Sequence, residues 1–174
     1  MQTQELQHFY ISEEQSIYLL AANDARKHRA WIRLCKQQLS KLGYKQFELV
    51  GKGAYGFVFA GVNAQGEAHV FKFSRLTLPQ RVHDRLEEEA FMLSQVIHAN
   101  VPPAIKFQHV GKQGILVMAR APGEDLEQLC LRVGALPVAM VMNIARQLAA
   151  ILKYLHHGRP LIHGDIKPSN LVYD

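Results

Sequence analysis

Gly51-Lys-Gly53-Ala-Tyr-Gly56-Phe-Val58-Phe-Ala-Gly-Val62 holds three glycines in a G-x-G-x-x-G-x-V spacing, and the residues after the third glycine decide between two architectures. In a dinucleotide-binding βαβ unit a helix opens there. Here Phe57 to Val62 is aromatic and β-branched, strand material that runs into the turn Asn63-Ala-Gln-Gly66. Strand, glycine turn, strand is a flap, whose side-chain-free backbone amides can approach phosphate oxygens. A glycine triplet alone is weak evidence, so the flanking residues have to support it.

Working outward, short strand-like runs continue on both sides: Phe47 to Val50, Ala68 to Phe73, Ala104 to His109 and Ile115 to Ala119. The turns Asn63-Ala-Gln-Gly66 and Gly111-Lys-Gln-Gly114 suit antiparallel hairpins. One helix interrupts the strands, from about 80 to 97. Past residue 120 the pattern is helical, with Pro137 at a helix start and a stripe of Val141, Ile144, Ala145, Leu148, Ile151, Leu152 and Leu155 that Gly158 ends. At the other end, Ser12-Glu-Glu-Gln15 reads as a capping box. Ile17, Leu20, Trp31, Ile32, Cys35, Leu39 and Leu42 then recur at helical steps until Gly43, giving one amphipathic helix or two. The expected organisation is a helical extension over 1–43 and an α+β domain over 44–174.

The chain has 174 residues, 48% of them apolar and 20% charged, which excludes disordered and collagenous classes. Two distant cysteines, Cys35 and Cys130, exclude a disulfide scaffold and suit a reducing compartment, so the cytoplasm is the expected location. The longest apolar run, Ala135 to Met142, is soon interrupted by Asn143 and Arg146, and no membrane span is expected. Of the net charge of +5, seven cations fall between Ala25 and Phe47 (Arg26, Lys27, Arg29, Arg33, Lys36, Lys41, Lys45) with no acid among them. That basic helix is a candidate partner surface; a nucleic-acid partner is not expected, because Trp31 is its one interleaved aromatic.

Lys72 stands in Val70-Phe71-Lys72-Phe73, inside an apolar strand. Either it points to solvent opposite Phe71 and Phe73, or it has an anionic partner. Among Glu87, Glu88 and Glu89, only Glu89 falls within the stripe Val82, Leu86, Ala90, Leu93 and Ile97. A buried acid and a strand lysine are each costly alone, so a Lys72–Glu89 ion pair accounts for both. Finally, His163-Gly-Asp165-Ile-Lys167-Pro-Ser-Asn170 gathers a carboxylate able to accept a proton, a cation and an amide oxygen able to bind a hard metal ion on one loop.

In this order the motifs resemble the protein-kinase family, specifically bacterial relatives of the eukaryotic Ser/Thr kinases. The glycine loop, Lys72, Glu89, the His98-Ala-Asn100-Val turn, Leu116-Val-Met118, Pro122-Gly123 and the octet all fall in family sequence between about 44 and 174. The resemblance implies an antiparallel five-stranded upper lobe with one helix over 44–118, then a hinge and partial helical lower lobe over 119–174. It implies that Lys72, oriented by Glu89, holds the α- and β-phosphates of ATP while Asn170 binds Mg²⁺. Asp165 accepts or aligns the hydroxyl of a protein Ser/Thr substrate, and Lys167 neutralises the moving phosphoryl group. Gly51, Lys52, Gly53, Ala54, Tyr55 and Gly56 form the flap over the nucleotide. Val50, Val58, Val70 and Val172 sandwich adenine, backbone groups of Ala119 and Ala121 meet its edge, Met118 guards the back pocket, and Asp125 reaches the ribose.

Three departures stand out. Gly164 replaces the family's usual arginine, which puts control through activation-loop phosphate in doubt. His69 and Val70 stand where the family often has Val and Ala, so a tighter adenine slot is expected. No Asp-Phe-Gly segment occurs by Asp174, so residues 1–174 are expected to be inactive by themselves. Two other readings remain beside the Ser/Thr kinase: a nucleotide-binding pseudokinase or scaffold, and a small-molecule kinase of the aminoglycoside or choline type. Gly164 favours the last and Lys167-Pro168 opposes it.

Overall fold

The computed structural model describes residues 13–52, 56–74, 80–110, 113–158 and 161–174, with the side chains of 13–25, 80–83 and 158 left aside. Two compact units divide the chain at Gly43. The first contains one uninterrupted helix, α1 (Glu13–Lys41); Leu42 and Gly43 close it by turning their N–H groups back onto Leu39 and Ser40. Ser12, the expected cap, lies outside the described residues.

The second unit is built on an antiparallel sheet of β1 (Lys45–Lys52), β2 (Gly56–Val62), β3 (Ala68–Ser74), β4 (Ala104–Val110) and β5 (Gln113–Ala119), in spatial order β1-β2-β3-β5-β4. Gly56 thus opens a strand and not a helix, which excludes the dinucleotide fold. In the turn between β2 and β3, Asn63 Oδ1 accepts the backbone N–H groups of Gln65 and Glu67. The register aligns Phe57 with Phe73 and Ile115, and Phe59 with Phe71 and Val117, so one face is aromatic and aliphatic and is fully buried. Phe59 meets Phe73 edge-on at 5.7 Å, and Tyr44 meets Phe71 at 4.6 Å. Alternation puts Val58, Val70, Lys72, Leu116 and Met118 on the other face.

Helix α2 (Gln80–Leu93) packs on β5 and β4 and ends four residues short of the expected 97. The reason is local: the N–H groups of Gln95 and Val96 fold back three residues onto Met92 and Leu93, and the Ser94 hydroxyl donates to the Phe91 carbonyl. Ile97, assigned to the buried stripe from sequence, lies beyond this tightened turn and is 86% exposed.

After β5 come a two-residue strand β6 (Glu124–Asp125), α3 (Leu126–Val133), α4 (Val138–Gly158), a 3-10 turn at Pro168–Asn170 and β7 (Val172–Tyr173), which pairs with β6. The α4 stripe is half-buried from Ile144 to Leu155, with Ala145 and Val141 exposed. Here the sequence expectation about spans needs correction. Residues Val138–His157 are long and apolar enough, by length and composition, to cross a membrane, a property they share with core helices of soluble domains. Arg146 and Lys153 are the only Asp, Glu, Lys or Arg residues in that window, too few to disqualify it.

Candidate active site

Lys72 and Glu89 meet. The lysine Nζ on β3 donates to Glu89 Oε1 on α2, while Glu87 and Glu88 are exposed and point elsewhere. Glu87 lies 3.6 Å from His109 on β4. The expectation of a buried Glu89 is corrected: both partners retain 37% of their side-chain exposure, with Lys72 on the sheet face opposite the buried aromatic one. Screening by water therefore keeps the pair's contribution to stability small, and its value lies in fixing where the ammonium stands.

Val58, Val70 and Met118 share the Lys72 face, Val58 directly across from Lys72 and Val70 across from Met118. Val50 occupies a register shift in β1 between Leu49 and Gly51 and is 44% exposed, so regular alternation does not assign it to either face. His69 is on the opposite face, buried, with its Nδ1 sharing a hydrogen bond of 3.2 Å with the Tyr44 hydroxyl. It therefore cannot narrow an adenine slot, and of the two departures in this strand only Val70 can. Burial, with Glu67 adding to it, pushes the Tyr44 hydroxyl above its ordinary value.

Gly53, Ala54 and Tyr55 lie outside the described residues; Gly51 and Lys52 end β1, and Gly56 begins β2. The third glycine is fixed sterically, since a Cβ on Gly56 would stand 1.8 Å from the Phe73 carbonyl oxygen.

In the lower part, Asp165 is the hub. Its Oδ2 accepts from Lys167 Nζ at 2.9 Å and from Asn170 Nδ2 at 3.0 Å, and Asn170 Nδ2 also donates to the Asp165 carbonyl at 2.8 Å. The Asp165 N–H turns back to His163 Nδ1 at 3.3 Å. Extended backbone at Lys167 and Pro168 at the start of the 3-10 turn set this geometry. The hydrogen bond from Lys167, then that from Asn170, hold the Asp165 carboxyl below its ordinary range, so it is a carboxylate throughout the neutral region. Gly164 adopts φ +72° with open space where a side chain would begin.

Asp125 caps α3 by accepting the Gln128 N–H on Oδ1 at 2.9 Å, and it pairs across the β6–β7 ladder with Val172. Ala119 donates its N–H to the Pro103 carbonyl, which leaves its carbonyl as the group to offer a base; Ala121 is half-buried.

Two groups of residues were missed from sequence. Glu124 receives Arg132 Nη2 at 2.6 Å, clamping β6 to α3, and this contact holds the Glu124 carboxyl below its usual range. Tyr154 and Gln147 on α4 hold the turn after α2, as the Tyr154 hydroxyl accepts the Ile97 N–H at 3.2 Å and Gln147 accepts Asn100 Nδ2 at 3.4 Å. The His98-Ala-Asn100-Val turn was the available signal, but its α4 partners lie 47 and 57 residues away. A cavity of about 270 Å³ lies elsewhere, between Phe91 of α2 and Ile105 of β4.

The donors present fit a Mg²⁺ ion as part of a site. With its amide nitrogen on Asp165, Asn170 has an amide oxygen left to offer, beside a carboxylate, and Mg²⁺ takes few protein ligands and keeps water and phosphate oxygens. Among the described residues no group of three His, Cys, Asp or Glu could hold a metal by itself.

The protein kinase domain family matches residues 44–174. This chain belongs to the protein kinase family. The probable serine/threonine-protein kinase MRK1 homolog of Encephalitozoon cuniculi is 25% identical over 92% of this kinase chain and 50% of its own length. Serine/threonine-protein kinase dkf-2 of Caenorhabditis briggsae is 30% identical over 79% of the chain, which spans 12% of that relative. The kinase chain thus spans half or less of the length of these relatives. Its fold is similar to that in the crystal structure of Rad53 1-466 in complex with AMP-PNP, with a TM-score of 0.63 and 24% identity over 75% of this chain and 34% of that one.

Proposed function

We propose that this kinase chain carries the nucleotide-binding and catalytic-loop portion of an ATP-dependent phosphotransferase acting on Ser/Thr hydroxyls of proteins. The observation that carries the reading is the Lys72–Glu89 pair, set on the same sheet face as Val58 and Val70. Lys72, held by Glu89, takes the α- and β-phosphates; Val50, Val58, Val70 and Val172 flank adenine, and the second oxygen of Asp125 takes the ribose. Asp165, kept ionised by Lys167 and Asn170, is too weak a base to remove a proton early and acts by aligning the acceptor hydroxyl. Lys167 is then one step away from the phosphoryl oxygens it neutralises. Such transfer is chiefly positioning and electrostatics, which these groups supply. Asn170, with Asp165 beside it, would hold Mg²⁺, whose charge when bound offsets that of the phosphates.

The test separates binding from transfer. Residues 1–174 are expected to bind a fluorescent ATP analogue in the presence of Mg²⁺ and to show no phosphotransfer to a general acceptor protein above an Asp165→Asn blank. Lys72→Met should abolish the binding and keep the fold by circular dichroism. Nucleotide affinity unchanged in Lys72→Met would overturn the assignment, and turnover above the blank would make these residues a minimal enzyme.

A further inference from the structure

Helix α1 belongs to residues 1–43, outside the kinase match at 44–174, and its charge is segregated more sharply than its function as a helical extension requires. From Ala25 onward it contains no acid, and outside the stretch from Ala25 to Phe47 the chain has 13 basic against 15 acidic side chains. The cations are also arranged by face. At 100° per residue Arg26, Arg29, Arg33 and Lys36 form one line, continued by Ser40, while Lys27, Leu34 and Lys41, spaced by seven, form a second line beside it. Lys36 is half-buried and the other residues of both lines are exposed, while Cys35 and Leu39, half a turn away, are fully buried. The first and last cations, Arg26 and Lys41, are about 22 Å apart along a straight axis.

This is a flat cationic strip with one exposed large apolar side chain, Leu34, standing between two lysines. Several ligands offer negative charge, but Leu34 discriminates among them. A phosphodiester backbone has no use for an apolar side chain between two ammonium groups, and a single-stranded nucleic acid needs stacking aromatics, of which this face has none. An anionic bilayer uses both: leucine reaches the acyl boundary while lysine stems lie along it with their heads at the phosphates. A straight line of cations also meets a planar surface along its whole length, whereas a duplex curves away from it.

We infer that the exposed face of α1 is a docking surface for a membrane leaflet rich in anionic phospholipid. Binding is peripheral, because five or six cations and one leucine give reversible, salt-sensitive attachment and not insertion.

The test uses the whole chain, residues 1–174, in co-sedimentation with vesicles of about 30% phosphatidylglycerol in phosphatidylcholine, against vesicles of phosphatidylcholine alone. Binding to the anionic vesicles only, falling at least tenfold as salt rises from about 50 to about 300 mM, is expected. The variant Arg29→Gln/Arg33→Gln/Lys36→Gln should weaken it roughly a hundredfold, since each cation near such a surface counts for about fivefold. Lys106→Gln/Lys153→Gln, which removes two exposed cations elsewhere, should leave it within about twofold. Leu34→Gln should weaken vesicle binding several-fold and leave affinity for a short DNA duplex unchanged; this single surface change keeps the test decisive if the triple variant loses helicity. Equal binding to both vesicle types, equal loss in the control variant, or tighter binding to the duplex than to anionic vesicles would each overturn the proposal, the last in favour of nucleic acid.

Discussion

The Tyr154 hydroxyl on α4 accepts the backbone N–H of Ile97 at 3.2 Å, and the Tyr154 ring lies 5.1 Å from that of His98. One side chain thereby pins the turn after α2 to the helix that leads into the catalytic loop. Asn100 adds a second tie, its N–H donated to His98 Nδ1 at 3.1 Å and its side chain to Gln147. Tyr154→Phe keeps the ring and frees the Ile97 amide. The expected result is a loss of about 0.5–1.5 kcal/mol in urea unfolding and faster hydrogen exchange at Ile97 than at amides inside α4.

The three adjacent glutamates on α2 should separate cleanly. Glu89→Gln removes the charge that holds Lys72, and nucleotide affinity should fall several-fold or more. Glu88→Gln should be neutral, and Glu87→Gln should cost at most the few tenths of a kcal/mol of an exposed pair with His109. Titrating a fluorescent nucleotide into each variant is sufficient, and equal losses in all three would show that α2 is rotated from the orientation given above.

Asp165 gives a pH prediction with a definite sign. Its folded value is depressed, so the ionised form and whatever it stabilises are fully present above the ordinary carboxylate value of 3.8 and are lost as pH falls below it. Between pH 5 and 8 its charge is constant. Side-chain NMR should show the Asp165 carboxyl titrating below the ordinary aspartate value of 3.8, and Lys167→Met should bring it up towards that value, because the lysine is the largest cause of the depression.

Two glycines in the left-handed region should respond differently to alanine. At Gly164 only the backbone conformation opposes a side chain, with a cost of roughly 1–2 kcal/mol. At Gly123, φ +94°, a Cβ would also stand 2.1 Å from the Tyr173 carbonyl oxygen, adding roughly 1–3 kcal/mol of overpacking and dislodging β7. Thermal unfolding of the two variants measures the difference, and Gly164→Ala should be the milder.

The parts legible in sequence were those written in short periods. Phe57, Phe59, Phe71 and Phe73 alternate with Val58 and Lys72, so the strands and the two faces of the sheet could be read directly. The flap could be told from a dinucleotide turn because strand residues come directly after Gly56. What escaped depended on partners distant in the chain or on competition from side chains. The end of α2 moved because Ser94 takes a backbone carbonyl, a local effect that leaves no mark on the apolar stripe, which continues in sequence to Ile97. Tyr154 falls beside the α4 stripe and had no visible purpose until Ile97 was brought to it. The β6–β7 ladder has only two pairs, Glu124 with Tyr173 and Asp125 with Val172, too short for any periodicity.

That ladder also bears on the order in which the protein folds. Its strands are joined through α3, α4 and the catalytic loop, and closing so long a connection costs at least as much as two rungs and the Leu126 N–H bond to Leu171 return. It cannot nucleate, so it forms only after α3 and α4 have shortened the path between its ends. The last contacts made during folding are then the ones that bring Asp125 beside Val172, and competence to hold a nucleotide arrives late, when the lower lobe has closed.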